Sequence, residues 1–244
     1  MSEPLLLADL FGSFANAFDF ITSPQPSAFA GGEVGGPEQV LSKLAEHVKV
    51  SAVALTASLV VALPLGIYLG HRGKGEGAAI AVGNAGRAIP ELALIAFLVA
   101  FIGVGFLNVT IALAVLGVPP ILTNAFVGIN QVDRTTVEAA KGMGMTGAEV
   151  VRRIEIPLAI PTIMSGVRAA AIAIIATATI APLAGLETLG DFIINRNVFG
   201  DEGVLAGAIL VAGLAIAVEL LLAGLQRLLT PRGIRVQRLA AATA

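Results

Sequence analysis

Glu138 to Pro157 reads EAAKGMGMTGAEVVRRIEIP, a polar island in an otherwise apolar chain. Glu138–Lys141 are good helix formers. Gly142 and Gly144 then interrupt, because glycine costs about 1 kcal/mol relative to alanine inside a helix. Thr146 followed by Glu149 has capping-box spacing, which predicts a second helix start. Pro157 is expected to end that helix, since a proline biases the residue before it away from helix. Two short helices joined by a glycine turn carry too little apolar surface to fold alone. The stretch therefore reads as a surface that another protein grips; a solvated loop between spans is the plainer alternative. Gly142, Gly144 and Gly147 also spell GxGxxG, but a dinucleotide site needs a strand before it and a βαβ unit around it. Here a helix precedes and an apolar run follows.

The chain is 56% hydrophobic and 13% charged, against about 25% charged residues in soluble proteins. With mean hydropathy +0.89, it falls in the membrane class. A net charge of -2 implies no nucleic-acid partner. The absence of cysteine excludes disulfides and thiolate chemistry, and two separated histidines, His47 and His71, make a histidine metal site improbable. Gly73-Lys74 lacks the glycine five positions earlier, where Tyr68 stands, so no Walker A motif exists and ATP hydrolysis is not expected on this chain. No catalytic triad or carboxylate pair is evident. Asn108-Val109-Thr110 matches a glycosylation sequon but opens a span, where it is not expected to be used.

About 20 apolar residues cross the hydrocarbon core. On that measure five spans are predicted, at 50–70, 78–102, 107–127, 157–182 and 204–229, the third broken near Pro119-Pro120. Before them, Met1 to Thr22 lacks a basic n-region and a cleavage site, so it is not read as a signal peptide. Asp9 and Asp19 would each cost roughly 2.5–3.5 kcal/mol near the centre of a span. An interfacial amphipathic helix is the expectation there, a sixth span the alternative. Ser23 to Pro37 reads as a Pro/Gly linker, and Pro37 to His47 as a separate amphipathic helix along the membrane. Basic residues gather at Arg72 and Lys74, at Arg134, Lys141, Arg152 and Arg153, and at Arg227, Arg232, Arg235 and Arg238. By the positive-inside rule these three regions, including the 138–157 loop and the C-terminus, are cytoplasmic.

Glu138-Ala139-Ala140, Gly144, Ile154 and Ile156-Pro157 resemble the EAA loop of binding-protein-dependent ABC importer permeases, with Ile156 where the family usually has Leu. IPELALIAFL (89–98), PPILTNAFVGINQVD (119–133), GMGMTGAEVVRRIEIPLAIPTIMSGVRAA (142–170), LGDFI (189–193) and LTPRG (229–233) resemble the osmoprotectant permeases within that family. The resemblance spans about 38–233. It implies an all-α membrane fold: five core transmembrane helices, a cytoplasmic EAA coupling loop and an N-terminal interfacial helix. By the same token, residues 1–37 are an interfacial segment and linker, 38–233 the type-1 transmembrane domain, and 234–244 a cytoplasmic tail. It implies import of glycine betaine, choline, carnitine or proline, with methionine or another small polar solute as the alternative substrate. Partners implied are an ATPase subunit carrying ATP and magnesium, an extracytoplasmic binding protein, and a second permease copy or paralogue. Glu138, Ala139, Ala140, Gly144, Thr146, Glu149, Ile154 and Pro157 would form the ATPase-coupling surface. An ion-driven transporter would be favoured by inverted repeats, and none is found; a non-transporting membrane scaffold is a third reading.

Charges inside spans are costly and face protein or water rather than lipid. Arg87 and Glu91 stand four apart, which on one helix permits an ion pair. Mutual neutralisation and a role on the translocation path both remain open. Arg168 and Glu219 are each expected to satisfy a broken helix or a neighbouring span. Gly190 and Asp191 match the segment that re-enters the membrane near the outer gate in related permeases, although Glu187 and Thr188 replace part of its glycine run.

Overall fold

A backbone group in hydrocarbon finds no water, so long apolar segments close their hydrogen bonds within helices. The computed structural model of the chain describes residues 3–27, 31–73 and 75–231, with the backbone alone at 3–10, 78, 80, 85 and 87. Along them run α1 (Glu3–Thr22), a hairpin of β1 (Pro24–Pro26) and β2 (Glu33–Gly35), α2 (Gly36–Arg72), α3 (Glu76–Ala88), α4 (Glu91–Ile102) and α5 (Phe106–Asn130). There follow α6 (Arg134–Gly142), α7 (Gly147–Val150), a π-turn (Val151–Glu155), α8 (Ile156–Thr177), a 3-10 segment (Ala178–Ala184), α9 (Gly190–Ile194) and α10 (Arg196–Leu229). Among the described residues, four helical stretches are long and apolar enough to cross a membrane: Gly36–Arg72, Phe106–Asn130, Gly147–Ala184 and Arg196–Leu229.

Several boundaries differ from the sequence reading. The linker contains an antiparallel hairpin that pairs Gln25 with Val34. The amphipathic helix expected at 37–47 is not separate: α2 runs unbroken from Gly36 to Arg72, because no glycine or proline falls between Pro37 and the span. The expected second span is instead α3 and α4, parted at Ile89-Pro90, since a proline lacks an N–H and disfavours helix at the residue before it. Arg87 and Glu91 therefore lie on different helices, and the four-residue helical spacing that suggested their pairing does not hold. Arg87's side chain is outside the described residues, and Glu91 is exposed at the start of α4. Pro119-Pro120 does not break α5, in keeping with the tolerance of membrane helices for proline. Nor does Pro157 end its helix. The ladder widens through the π-turn just before it, and the missing N–H falls in the first turn of α8, where it costs least. The helix expected from 204 begins at Arg196 and kinks at Gly200.

The chain forms two units. The first takes in the described residues of Met1–Val53, Glu91–Leu113 and Ile174–Ile216, the second those of Ala54–Pro90, Ala114–Ala173 and Ala217–Ala244. The first is centred on Ala17, Phe20, Val40, Leu189, Phe192, Phe199 and Ala206. Its three phenyl rings meet edge to face, with centroids 5.0–6.3 Å apart, the arrangement their quadrupoles favour.

The second unit is built on close helix contact. A Cβ on Gly66 would lie 2.7 Å from both Ala125 Cβ and Leu122 O, and one on Gly70 would lie 2.8 Å from Ile129 Cβ and Phe126 O. Gly66 and Gly70 thus form a small-xxx-small seam through which α2 lies directly on α5. Ala125, Ile129, Ala159, Ile163 and Val167 continue the packing onto α8. In detergent, Gly66→Ala should lower thermal stability by about 1–3 kcal/mol, the usual cost of forcing extra volume into a packed contact. Gly213→Ala, whose Cβ meets nothing, should be neutral or slightly stabilising. Equal melting temperatures for the two variants would contradict this packing.

Candidate functional site

The polar island folds as predicted at its second helix, while its first begins earlier than Glu138, at Arg134. Asp133 caps α6, its carboxylate accepting from Thr135 N at 3.3 Å, Thr136 N at 3.2 Å and the Thr136 hydroxyl at 3.0 Å. The Thr135 hydroxyl also donates to this carboxylate, and it, followed by the Thr136 hydroxyl, holds the Asp133 carboxyl below its ordinary pKa. At the other end of α6, Met143 N donates to Ala139 O, Gly144 N to Lys141 O and Met145 N to Ala140 O. This is a Schellman-type closure, and it needs Gly144 at φ +88. Thr146 and Glu149 make the full capping box: Thr146 Oγ1 accepts from Glu149 N, and Glu149 accepts from Thr146 N.

The whole connection between α5 and α8, residues 131–155, has a small apolar core, Val132, Val137, Ala140 and Val150, flanked by Met145 and Ile154. Ala140 accordingly points inward, while Glu138, Ala139, Met143, Gly144 and Thr146 are exposed, and Glu149, Ile154 and Pro157 are half-buried. The exposed set is short, small or flexible side chains over rigidly capped backbone, a surface suited to gripping by another protein. Glu155, which the sequence reading did not single out, is buried, and its carboxylate accepts from His71 Nδ1 at 2.7 Å.

Gly190 and Asp191 lie in the first unit and are buried. Gly190 is pressed so closely on Thr179 that a Cβ would overlap its carbonyl oxygen. Asp191 accepts from Lys43 Nζ and from Asn195 Nδ2, and Lys43 also donates to Glu187 at 2.9 Å. The Lys43 ammonium stands 5.6 Å from the centroids of both Phe192 and Phe199, within cation–π range. Lys43 was missed because it was assigned to a helix lying at the membrane surface. The available signal was its register with Val40, His47, Val50 and Ala54, all buried on one stripe of α2. In the second unit, Arg168 pairs with Glu219 and donates to Gln226 Oε1 at 3.0 Å.

A sequence profile of the family described as "Binding-protein-dependent transport system inner membrane component" matches residues 62–235, which include the whole polar island. The chain belongs to this family. It is 41% identical over 198 residues to the glycine betaine/carnitine/choline transport system permease protein OpuCB of Bacillus subtilis (strain 168), a match that covers 81% of this chain and 91% of that protein. It is 40% identical over 194 residues to the carnitine transport permease protein OpuCB of Listeria monocytogenes, covering 79% and 89%. Among solved structures, the inward-facing MetNI methionine ABC transporter is similar with a TM-score of 0.68, covering 80% of this chain and 97% of that one. At 20% identity that likeness reports the fold alone. The chain is thus a multi-pass permease subunit of a transport system, and the polar island is its EAA loop.

Two outcomes follow. A depressed carboxyl contributes stability above its ordinary pKa, and that contribution is lost as pH falls through the depressed value. Hydrogen exchange across Arg134–Gly142, taken as a protection factor against the intrinsic rate at each pH, should therefore show constant protection at neutral pH and lose it only in acid. Asp133→Ala should speed exchange at neutral pH and Asp133→Asn should not, since asparagine also caps. Lys43→Ala should destabilise by about 3 kcal/mol, because it strands a buried carboxylate. Adding Asp191→Asn should recover part of that loss, as read by thermal unfolding in detergent.

Proposed function

We propose that this chain is the permease of an ATP-driven importer for small osmoprotectants, namely glycine betaine, choline, carnitine or proline. The observation that carries the substrate class is about 40% identity, over four-fifths of the chain, to permeases named for betaine, carnitine and choline. ATP and magnesium sit on a separate ATPase subunit that grips the EAA loop; this chain carries no cofactor. An extracytoplasmic binding protein delivers substrate, and two permease copies, or this one with a paralogue, enclose the path. The EAA loop and C-terminus are cytoplasmic, and Gly190-Asp191 lies at the outer gate. Residues 232–244, which include the whole 234–244 tail, lie outside the described residues. Transport is alternating access, with closure of the ATPases moving the EAA loop between two packed states.

The test is reconstitution with the ATPase and binding protein in proteoliposomes. ATP-dependent uptake of betaine or choline is expected, and thermal shift of the binding protein should select among betaine, choline, carnitine, proline and methionine. Gly144→Val should leave the permease inserted but abolish uptake, because valine resists positive φ. Uptake that persists without ATP, or a binding protein stabilised by methionine alone, would overturn the reading.

A further inference from the structure

His71 is the penultimate residue of α2, and its imidazole lies between the start of α7 and the end of the π-turn that follows it. Nδ1–H donates to Glu155 at 2.7 Å, at the last residue of the π-turn. Nε2 lies 3.6 Å from where a Cβ on Gly147, the first residue of α7, would stand. The Glu155 side chain is 4% exposed and that of His71 24%.

Glu155 is thus a buried carboxylate, and His71 is its described side-chain partner. Two neighbouring cations are engaged elsewhere: Arg153 pairs with Glu149 at 3.8 Å, and the Arg72 guanidinium lies 5.4 Å from the Tyr68 ring centroid. The chain itself joins the loop to α5 and α8. No such continuity joins it to α2, and the loop's apolar cluster draws only on residues of the loop. A displacement of the loop can reach α2 only through contacts, and the buried hydrogen bond described there is His71 to Glu155. It ends on a π-turn, a ladder irregularity that marks hinges and functional sites in helices.

We propose that His71 and Glu155 form the transmission link that delivers motion of the EAA loop to α2, with His71 as a positioning residue. The proposal rests on the importer reading, in which the loop is the part that the ATPase moves.

The experiment measures ATP hydrolysis and betaine uptake together, in proteoliposomes holding the full complex. His71→Ala strands the buried Glu155 carboxylate and should lower thermal stability, as Lys43→Ala does. Complexes of it and of Glu155→Ala that assemble should hydrolyse ATP near the wild-type rate, while uptake per ATP falls about tenfold. His71→Gln, which keeps a donor, should fall less. The exchanged pair, His71→Glu with Glu155→His, should recover most of the ratio lost by the single variants. An unchanged uptake-to-ATP ratio in the alanine variants overturns the link. So does a parallel loss of hydrolysis and uptake, or an exchanged pair no better than the singles. The wild-type control separates the two readings. A wild-type complex without ATP-coupled uptake removes the importer reading and the link with it; a coupled wild type with indifferent variants removes the link alone.

Discussion

In an apolar chain of this kind, a charge placed on a buried helix stripe must find a partner, because water is not there to solvate it and a lone charge is costly. That constraint organises the polar contacts of both units. Lys43 meets Asp191 across 148 residues of sequence, His71 meets Glu155 across 84, and Arg168 meets Glu219 across 51. Each pair ties one element to another in its own unit. The first fixes the start of α2 to α9, the second ties the end of α2 to the EAA loop, and the third holds α8 to α10.

Close backbone approach is the second constraint, and glycine supplies it. Between α2 and α5 no hydrophobic force selects one apolar face over another in lipid. Contact is set instead by how near the backbones can come. The Gly66/Gly70 seam lets α5 lie directly against α2. The prolines follow a related logic. Pro119, Pro120 and Pro157 stay within continuous helix, whereas Pro90 divides two helices.

The EAA loop combines rigidity with exposure. Two side-chain caps and a Schellman closure spend its polar groups on its own backbone, and four buried aliphatic residues hold it together from within. What remains outside is a firm, shallow surface. Beside it the π-turn interrupts the regular helix ladder.

The sequence by itself determined the class of the molecule and the local chemistry of its loop. Hydropathy demanded helices. The positions of Thr146 and Glu149 demanded a cap, and Gly144 a turn with positive φ, because these are interactions between near neighbours in the chain. Tertiary structure decided what depends on distant neighbours: that α2 is one helix whose stripe buries Lys43, that Ala140 faces inward, that Pro157 continues its helix, and that Arg168 and Glu219 serve each other. Glu155 shows the difference most directly. Nothing in its immediate neighbours Arg152 and Arg153 singles it out, and only the end of a helix 84 residues earlier makes it a buried partner. The free energy of a buried charge is set by what surrounds it in space, which local sequence does not state.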